Sequence, residues 1–137
     1  MGLILDSSVV ISAERRSESV VQLLRRILSI TGDQQVALSA VGLTELVHAI
    51  YRTPDPLHRQ NHERFVADLL AEMEVIPYGK STALLAGKID GEQRAKGVSI
   101  PFGDLLIGVT ALELGYHLAT GNLRHFQQIP GLQIVQL

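Results

Sequence analysis

At 137 residues the chain is long enough to enclose one aliphatic core and too short for two ordinary domains. Its 46% hydrophobic and 19% charged residues exclude disorder, and the absence of cysteine excludes a disulfide framework, a thiolate zinc site and a cysteine nucleophile. A formal net charge of -2 gives no overall electrostatic case for nucleic acid, so any such binding must come from a local patch.

The apolar run Gly2-Leu3-Ile4-Leu5 ends at Asp6 and reads as a buried parallel strand over 3–6. A short helix follows near 8–15. In a second, over about 17–30, Val20, Leu23, Leu24, Ile27 and Leu28 recur at three- and four-residue spacing until Gly32-Asp33 stops it. Val36-Ala37-Leu38-Ser39 is the second strand, and the helix over about 41–52 is broken by Pro54 and Pro56. A long amphipathic helix then carries Leu57, Phe65, Leu69, Leu70 and Met73, and Val75-Ile76 forms a third strand. The stretch 81–96 reads as a helix ended by Gly97, and a nearly all-apolar helix over about 104–114 ends at Gly115. Segments 117–120 and 132–135 supply the last two strands. This alternation predicts one α/β domain spanning 1–137, with a parallel sheet of about five strands flanked by helices on both faces. Asp6 and then Glu14-Arg15-Arg16 interrupt any signal peptide, and no apolar stretch reaches membrane-spanning length, so the expected location is the cytoplasm.

Four polar residues stand out against this apolar background. Asp6 lies just beyond a strand's carboxyl end, where open α/β sheets bind their ligands, although an Asp before a helix also serves as a cap. Glu45 interrupts the apolar run of the third helix, between Val41 and Leu46-Val47. Asp104 opens the most apolar helix, where an acid also complements the helix dipole. Gly121-Asn122 is a polar turn after the strand that ends at Thr120. Isolated acids are rarely buried unless paired or coordinated. Three acids and one amide, each tied to the core by apolar neighbours, are expected to meet in one crevice. Carboxylates gathered there repel one another, and a hard divalent cation relieves the repulsion. Oxygen donors without Cys or a compact His pairing favour Mg²⁺ or Mn²⁺ over zinc.

The segments LDSSVVIS around Asp6, LTELVHA around Glu45, GVSIPFGDLLIGVTAL around Asp104 and ATGNLRHF around Asn122 resemble the four motif regions of PIN-domain ribonucleases. The resemblance runs in order over essentially the whole chain and is strongest to the VapC-type toxins of type II toxin–antitoxin systems. It implies a metal-dependent endoribonuclease with Asp6, Glu45 and Asp104 as acidic Mg²⁺ or Mn²⁺ ligands, leaving 5′-phosphate and 3′-hydroxyl ends. It also implies an RNA substrate, a homodimer and a cognate antitoxin whose segment blocks the site. Asn122 occupies the fourth position, where many members carry Asp, and His125 stands where some relatives place a further Asp. An amide oxygen binds Mg²⁺ without the negative charge, so a second ion would be held weakly.

Ser7 and Thr120 are candidates to hydrogen-bond these groups, and Arg124 and His125 to contact the RNA backbone. His48, three residues after Glu45, suits packing better than metal ligation. His58, Arg59, His62 and Arg64 read as a solvated helix edge before a phosphate-binding face, and Asp90 as simply exposed. A catalytically weak PIN-fold binding or regulatory module is the alternative, since Asn122 lowers the site's charge. Receiver and haloacid-dehalogenase domains also place an Asp after the first strand, but they want an adjacent acid pair or an Asp-x-Asp, and here Ser7 and Ser8 follow. A purely structural protein would leave three core-flanked acids unexplained.

Overall fold

The computed structural model describes residues 1–137. Five strands, β1 (Gly2–Leu5), β2 (Gln35–Ser39), β3 (Glu74–Ile76), β4 (His117–Thr120) and β5 (Ile134–Gln136), form one sheet in the order β3-β2-β1-β4-β5. Every pairing is parallel. Seven helices connect and flank them: α1 (Ser7–Arg15), α2 (Val20–Thr31), α3 (Ala40–Arg52), α4 (Pro56–Glu72), α5 (Lys80–Ala95), α6 (Phe102–Leu114) and α7 (Leu123–Phe126).

Alternation along β1 divides the core. Leu3 and Leu5 join Leu38 and Ala119 in an aliphatic cluster with Val9, Val10, Leu23, Ile27, Leu46, Ile50, Val66 and Leu69 of α1 to α4. Ile4 turns to the opposite face, where Ala37 and Leu118 pack against Ala86 and Ile89 of α5, Leu105, Ile107 and Val109 of α6, and Phe126 of α7. Burying both faces is what a parallel sheet demands, and each enclosed Leu or Ile contributes about 1.5–3 kcal/mol relative to exposure. The central strand is also where the chain reverses its direction of travel across the sheet, from β1 through β2 to β3 on one side and then to β4 and β5 on the other. A crevice therefore opens beyond the carboxyl ends of β1 and β4. The backbone N–H of Asp6 donates to Ala119 O at 2.9 Å, so β1 and β4 stay paired up to the crevice.

Several boundaries differ from the sequence-based expectation: β1 covers Gly2–Leu5 and not 3–6, so Asp6 lies just past it, and α6 begins at Phe102 and not at 104. The helix expected from residue 17 starts at Val20, because Ser17 takes a left-handed φ of 58° and Ser19 forms a capping box with Gln22. The last strand covers Ile134–Gln136 and not 132–135, since Leu132 N–H still closes a turn onto Ile129 O and Gly131 has φ 82°. The polar turn after Thr120 continues into α7, a single turn too short for periodicity to reveal. No helix is long and apolar enough to cross a membrane.

Candidate active site

Asp6 follows β1 in extended backbone at the N-terminus of α1, with no side-chain capping bond, so the capping reading does not describe its carboxylate. Its Oδ2 instead accepts from Ser8 Oγ at 2.6 Å and from Thr120 Oγ1 at 2.8 Å, and the residue is only 3% exposed. Thr120, fully buried at the end of β4, accepts in turn from the Asn122 N–H at 2.9 Å. Ser8 Oγ accepts from the Gly121 N–H at 3.2 Å. These hydroxyls stitch the Asp6 carboxylate to the turn after β4, so the two strand ends form one rigid floor.

Glu45 enters from the middle of α3, half-buried, with Oε1 accepting from Ser7 Oγ at 2.7 Å. Asp104 enters from the first turn of α6, where its charge suits the helix dipole, and its Oδ2 accepts from His125 Nδ1 at 2.7 Å. Asn122 presents its amide to the same Nδ1 at 3.0 Å. One ring nitrogen cannot donate to Asp104 and accept from Asn122 at once. With Asp104 ionised, the amide oxygen is therefore the group that faces the imidazole.

The carboxyls of Glu45 and Asp104 both titrate above their ordinary range. For Glu45 the first cause is burial, opposed by the Ser7 hydrogen bond and reinforced by the negative charges of Asp6 and Asp104. For Asp104 it is again burial, opposed by the His125 hydrogen bond and reinforced by Asp6. The three acids thus share one field, although β1, α3 and α6 lie far apart in sequence. As the side chains stand, no three His, Asp or Glu groups are close enough together to hold an ion, and each carboxylate rests on its own hydroxyl or imidazole donor. The donor set nevertheless fits a hard divalent cation. It consists of carboxylate oxygens, of which those of Glu45 and Asp104 are made costly to ionise by burial and by neighbouring negative charge, and a cation relieves both costs.

Gly103 makes room for this arrangement. A Cβ there would lie 2.9 Å from Glu45 Oε2, so the glycine lets α3 deliver its carboxylate against α6. Gly103→Ala is expected to keep or slightly raise thermal stability, since alanine is the better helix former, while displacing the Glu45 carboxylate. Any activity of this site should then fall without loss of fold, and a variant with wild-type activity would show that Glu45 is not held there for function. Ser8 and Gly103 are the site residues that sequence reasoning missed. The only signals were a second hydroxyl after Asp6 and a small residue immediately before Asp104.

Other polar residues singled out from the sequence lie elsewhere. His48 is exposed on α3, so it is not packed as expected. His58 pairs with Asp55, His62 with Glu14, and Arg59 donates to Thr53 O while lying 5.9 Å from the centre of the Tyr51 ring. His58, Arg59 and His62 on the early turns of α4 are thus engaged within the protein, whereas Arg64 is exposed and has no partner. Asp90 is only partly exposed and accepts both of its bonds from Arg94 Nε at 3.1 Å. A cleft of about 780 Å³ separates α1, α3 and α4, lined by Val10, Ile11, Ala49, Ile50 and Phe65, with the Glu14–His62 pair across it.

The chain as a whole is similar to known proteins. Residues 3–132 match the PIN domain family. The chain is 30% identical to Ribonuclease VapC1 of Rickettsia felis, over 98% of this chain and 96% of that protein. It is 28% identical to the tRNA(fMet)-specific endonuclease VapC of Salmonella typhimurium over 73% of this chain and 74% of that one. In structure it is similar to a chain of VapBC2 from Rickettsia felis bound to a DNA fragment from its promoter, with a TM-score of 0.84, 21% identity, and coverage of 100% and 99% of the two chains.

Proposed function

The chain belongs to the PIN-domain family, and from that premise we propose that it is an endoribonuclease dependent on Mg²⁺ or Mn²⁺, serving in the cytoplasm as the toxin of a toxin–antitoxin pair. The observation that supports this best is the convergence of Asp6, Glu45 and Asp104 at the carboxyl ends of β1 and β4: adjacent Ser8 and Ser7 hold Asp6 and Glu45, and Glu45 Oε2 lies against Gly103, the neighbour of Asp104. The names of the relatives, ribonuclease and tRNA-specific endonuclease, point the same way.

In this reading Asp6 and Asp104 hold the cation, and Glu45 completes its oxygen set or orients the attacking water. A divalent ion at such a site supplies an acidified water and neutralises the charge that develops on the phosphate. The protein's own part is positional. Ser8 and Thr120 fix Asp6, Ser7 fixes Glu45, and His125 holds Asp104 while Asn122 braces the imidazole or orients a water. Arg124 and His125 grip the RNA backbone beside the cut.

The test is cleavage of structured RNA by the purified protein with and without chelator. Cleavage that stops on chelation and returns with Mg²⁺ supports the proposal, and intact RNA under all conditions opposes it. The second reading, a weak binding module, draws on Asn122, which offers the cluster no fourth negative charge. That reading gains if the protein binds RNA and leaves it uncut.

The partners are a second copy of the chain and an antitoxin. The cleft between α1, α3 and α4, which mixes apolar side chains with charged and hydroxyl ones and is distinct from the acid cluster, is a surface where an antitoxin segment can dock. Ala49→Arg, which puts a cation among Ile11, Ile50 and Phe65, is expected to abolish co-purification with the co-expressed antitoxin while leaving RNA cleavage in place. Undiminished capture would move the docking surface elsewhere.

A further inference from the structure

Beside the acid cluster lies a polar hollow of about 500 Å³, between the loop joining α5 to α6 and the short helix α7. Val98, Ser99 and Pro101 form one wall, Arg124 and Gln128 the other. His125 belongs to both places, since it lines this hollow and holds Asp104. The hollow therefore opens within one side chain of the carboxylates.

Its walls are held from beneath. Gln93, buried on α5, donates through Nε2 to Gln128 O at 2.8 Å and so ties the end of α7 to α5. The Val98 N–H closes the facing loop onto Gln93 O at 2.9 Å, and buried Ile100 and Phe126 anchor the two sides. The polar tips are free by contrast. The exposed guanidinium of Arg124 has no protein partner, like those of Arg15, Arg25, Arg52 and Arg64, but Arg124 is the one of these that lines the hollow; the Ser99 hydroxyl and the Gln128 side-chain amide beside it are also unpartnered. A rigid hollow rimmed with unengaged donors and acceptors is shaped to receive a polar group and not to be filled by the protein itself.

We propose that this hollow is the subsite for an unpaired nucleotide next to the scissile phosphate. Arg124 takes the adjoining phosphate through its planar guanidinium, and Gln128 and Ser99 hydrogen-bond the edge of the base. A base can reach such a hollow only when splayed out of a helix, so the substrate is single-stranded at the cut, as in a loop. Phe102, next to Pro101 in the chain and 67% exposed, offers a ring on which a neighbouring base can stack. This assignment rests on the reading of the acid cluster as an RNA-cleaving centre, and it goes further by stating where sequence preference arises.

The test pairs binding with cleavage. Anisotropy of labelled single-stranded oligoribonucleotides is measured in an Asp104→Asn background, and cleavage-site sequences are mapped in the otherwise wild-type protein. Arg124→Ala is expected to weaken binding to every sequence by about tenfold, and Gln128→Ala with Ser99→Ala to flatten base preference at one position flanking the cut. Each change should raise KM more than it lowers kcat, with the melting temperature unchanged because the tips carry no structural bond. Binding and base preference identical to the parent in both variants would overturn the subsite, even if the protein cuts RNA efficiently. Loss of binding in Arg124→Ala together with uncut RNA in the parent would instead retain the subsite and reject the nuclease.

Discussion

Replacing Asp104 by Asn is expected to lower RNA cleavage by on the order of a hundredfold or more, at least as much as altering a group that merely supports a metal ligand can cost. The same change should leave the melting temperature unchanged or raise it. Burial and the charge of Asp6 hold the Asp104 carboxyl above its ordinary range. An acid whose folded pKa is raised binds its proton more readily in the folded state than in the unfolded one. It therefore opposes folding once pH exceeds the unfolded value, and that penalty is removed as pH falls back through the raised folded value. Asn carries no charge and escapes the penalty, although it forfeits part of the bond from His125. Glu45 has the same sign. Without added cation the protein should therefore be more stable in mild acid, between the ordinary carboxylate range and the raised values, than at neutral pH. Cleavage should run the other way and fall across that same window, because protonated acids do not bind a hard cation. Thermal melts across pH, set beside initial rates, check both signs. A destabilised and fully active Asp104→Asn would contradict them together.

Phe126→Ala is expected to cost about 3–5 kcal/mol, the range for deleting a fully buried aromatic ring from a core that cannot collapse around the gap. In a chain of this size that is a fall in melting temperature on the order of 10 °C. The ring is the sole buried side chain of α7. It packs against Gly108, where an added Cβ would lie 3.3 Å from Phe126 Cδ1 and 2.4 Å from Ile129 Cδ1. Helix α6 thus gives up a side chain so that the segment carrying Arg124 and His125 can lie flat against it. Loss of the ring should loosen that segment and lower activity beyond the loss of folded protein, and Phe126→Leu should restore most of both. Urea unfolding measures the cost, and a change below about 1 kcal/mol would mean that α7 is not anchored in this way.

What could be read from the chain depended on the length of the signal. Parallel strands wrapped by helices announce themselves through apolar runs of four or five residues and helical stripes of a dozen, so the α/β layout, with five parallel strands covered on both faces, is the one observed. Shorter devices left no periodic trace. The capping box at Ser19 and the single turn of α7 each span about four residues, and both moved a boundary. The acids stood out because a charge inside an apolar run is costly, which is a property of the sequence. Their partners were harder to read. Ser8 was passed over in favour of Ser7, yet Ser8 is the one that holds Asp6, whereas Ser7 reaches across to Glu45. Adjacent residues at a helix start point in different directions, and only the packed structure says which meets what. The role of Gly103 was invisible for a related reason: a missing Cβ matters only through the atom that takes its place.

Cleavage by this site requires Asp6, Glu45 and Asp104 to share a single divalent cation. Titration of the purified, chelator-treated protein with Mn²⁺ by calorimetry measures this directly. The expected result is saturable binding that is lost in Asp6→Asn and in Asp104→Asn and weakened in Glu45→Gln. Folded wild-type protein that takes up no Mn²⁺, or an Asp6→Asn variant that takes it up as tightly as wild type, would contradict it.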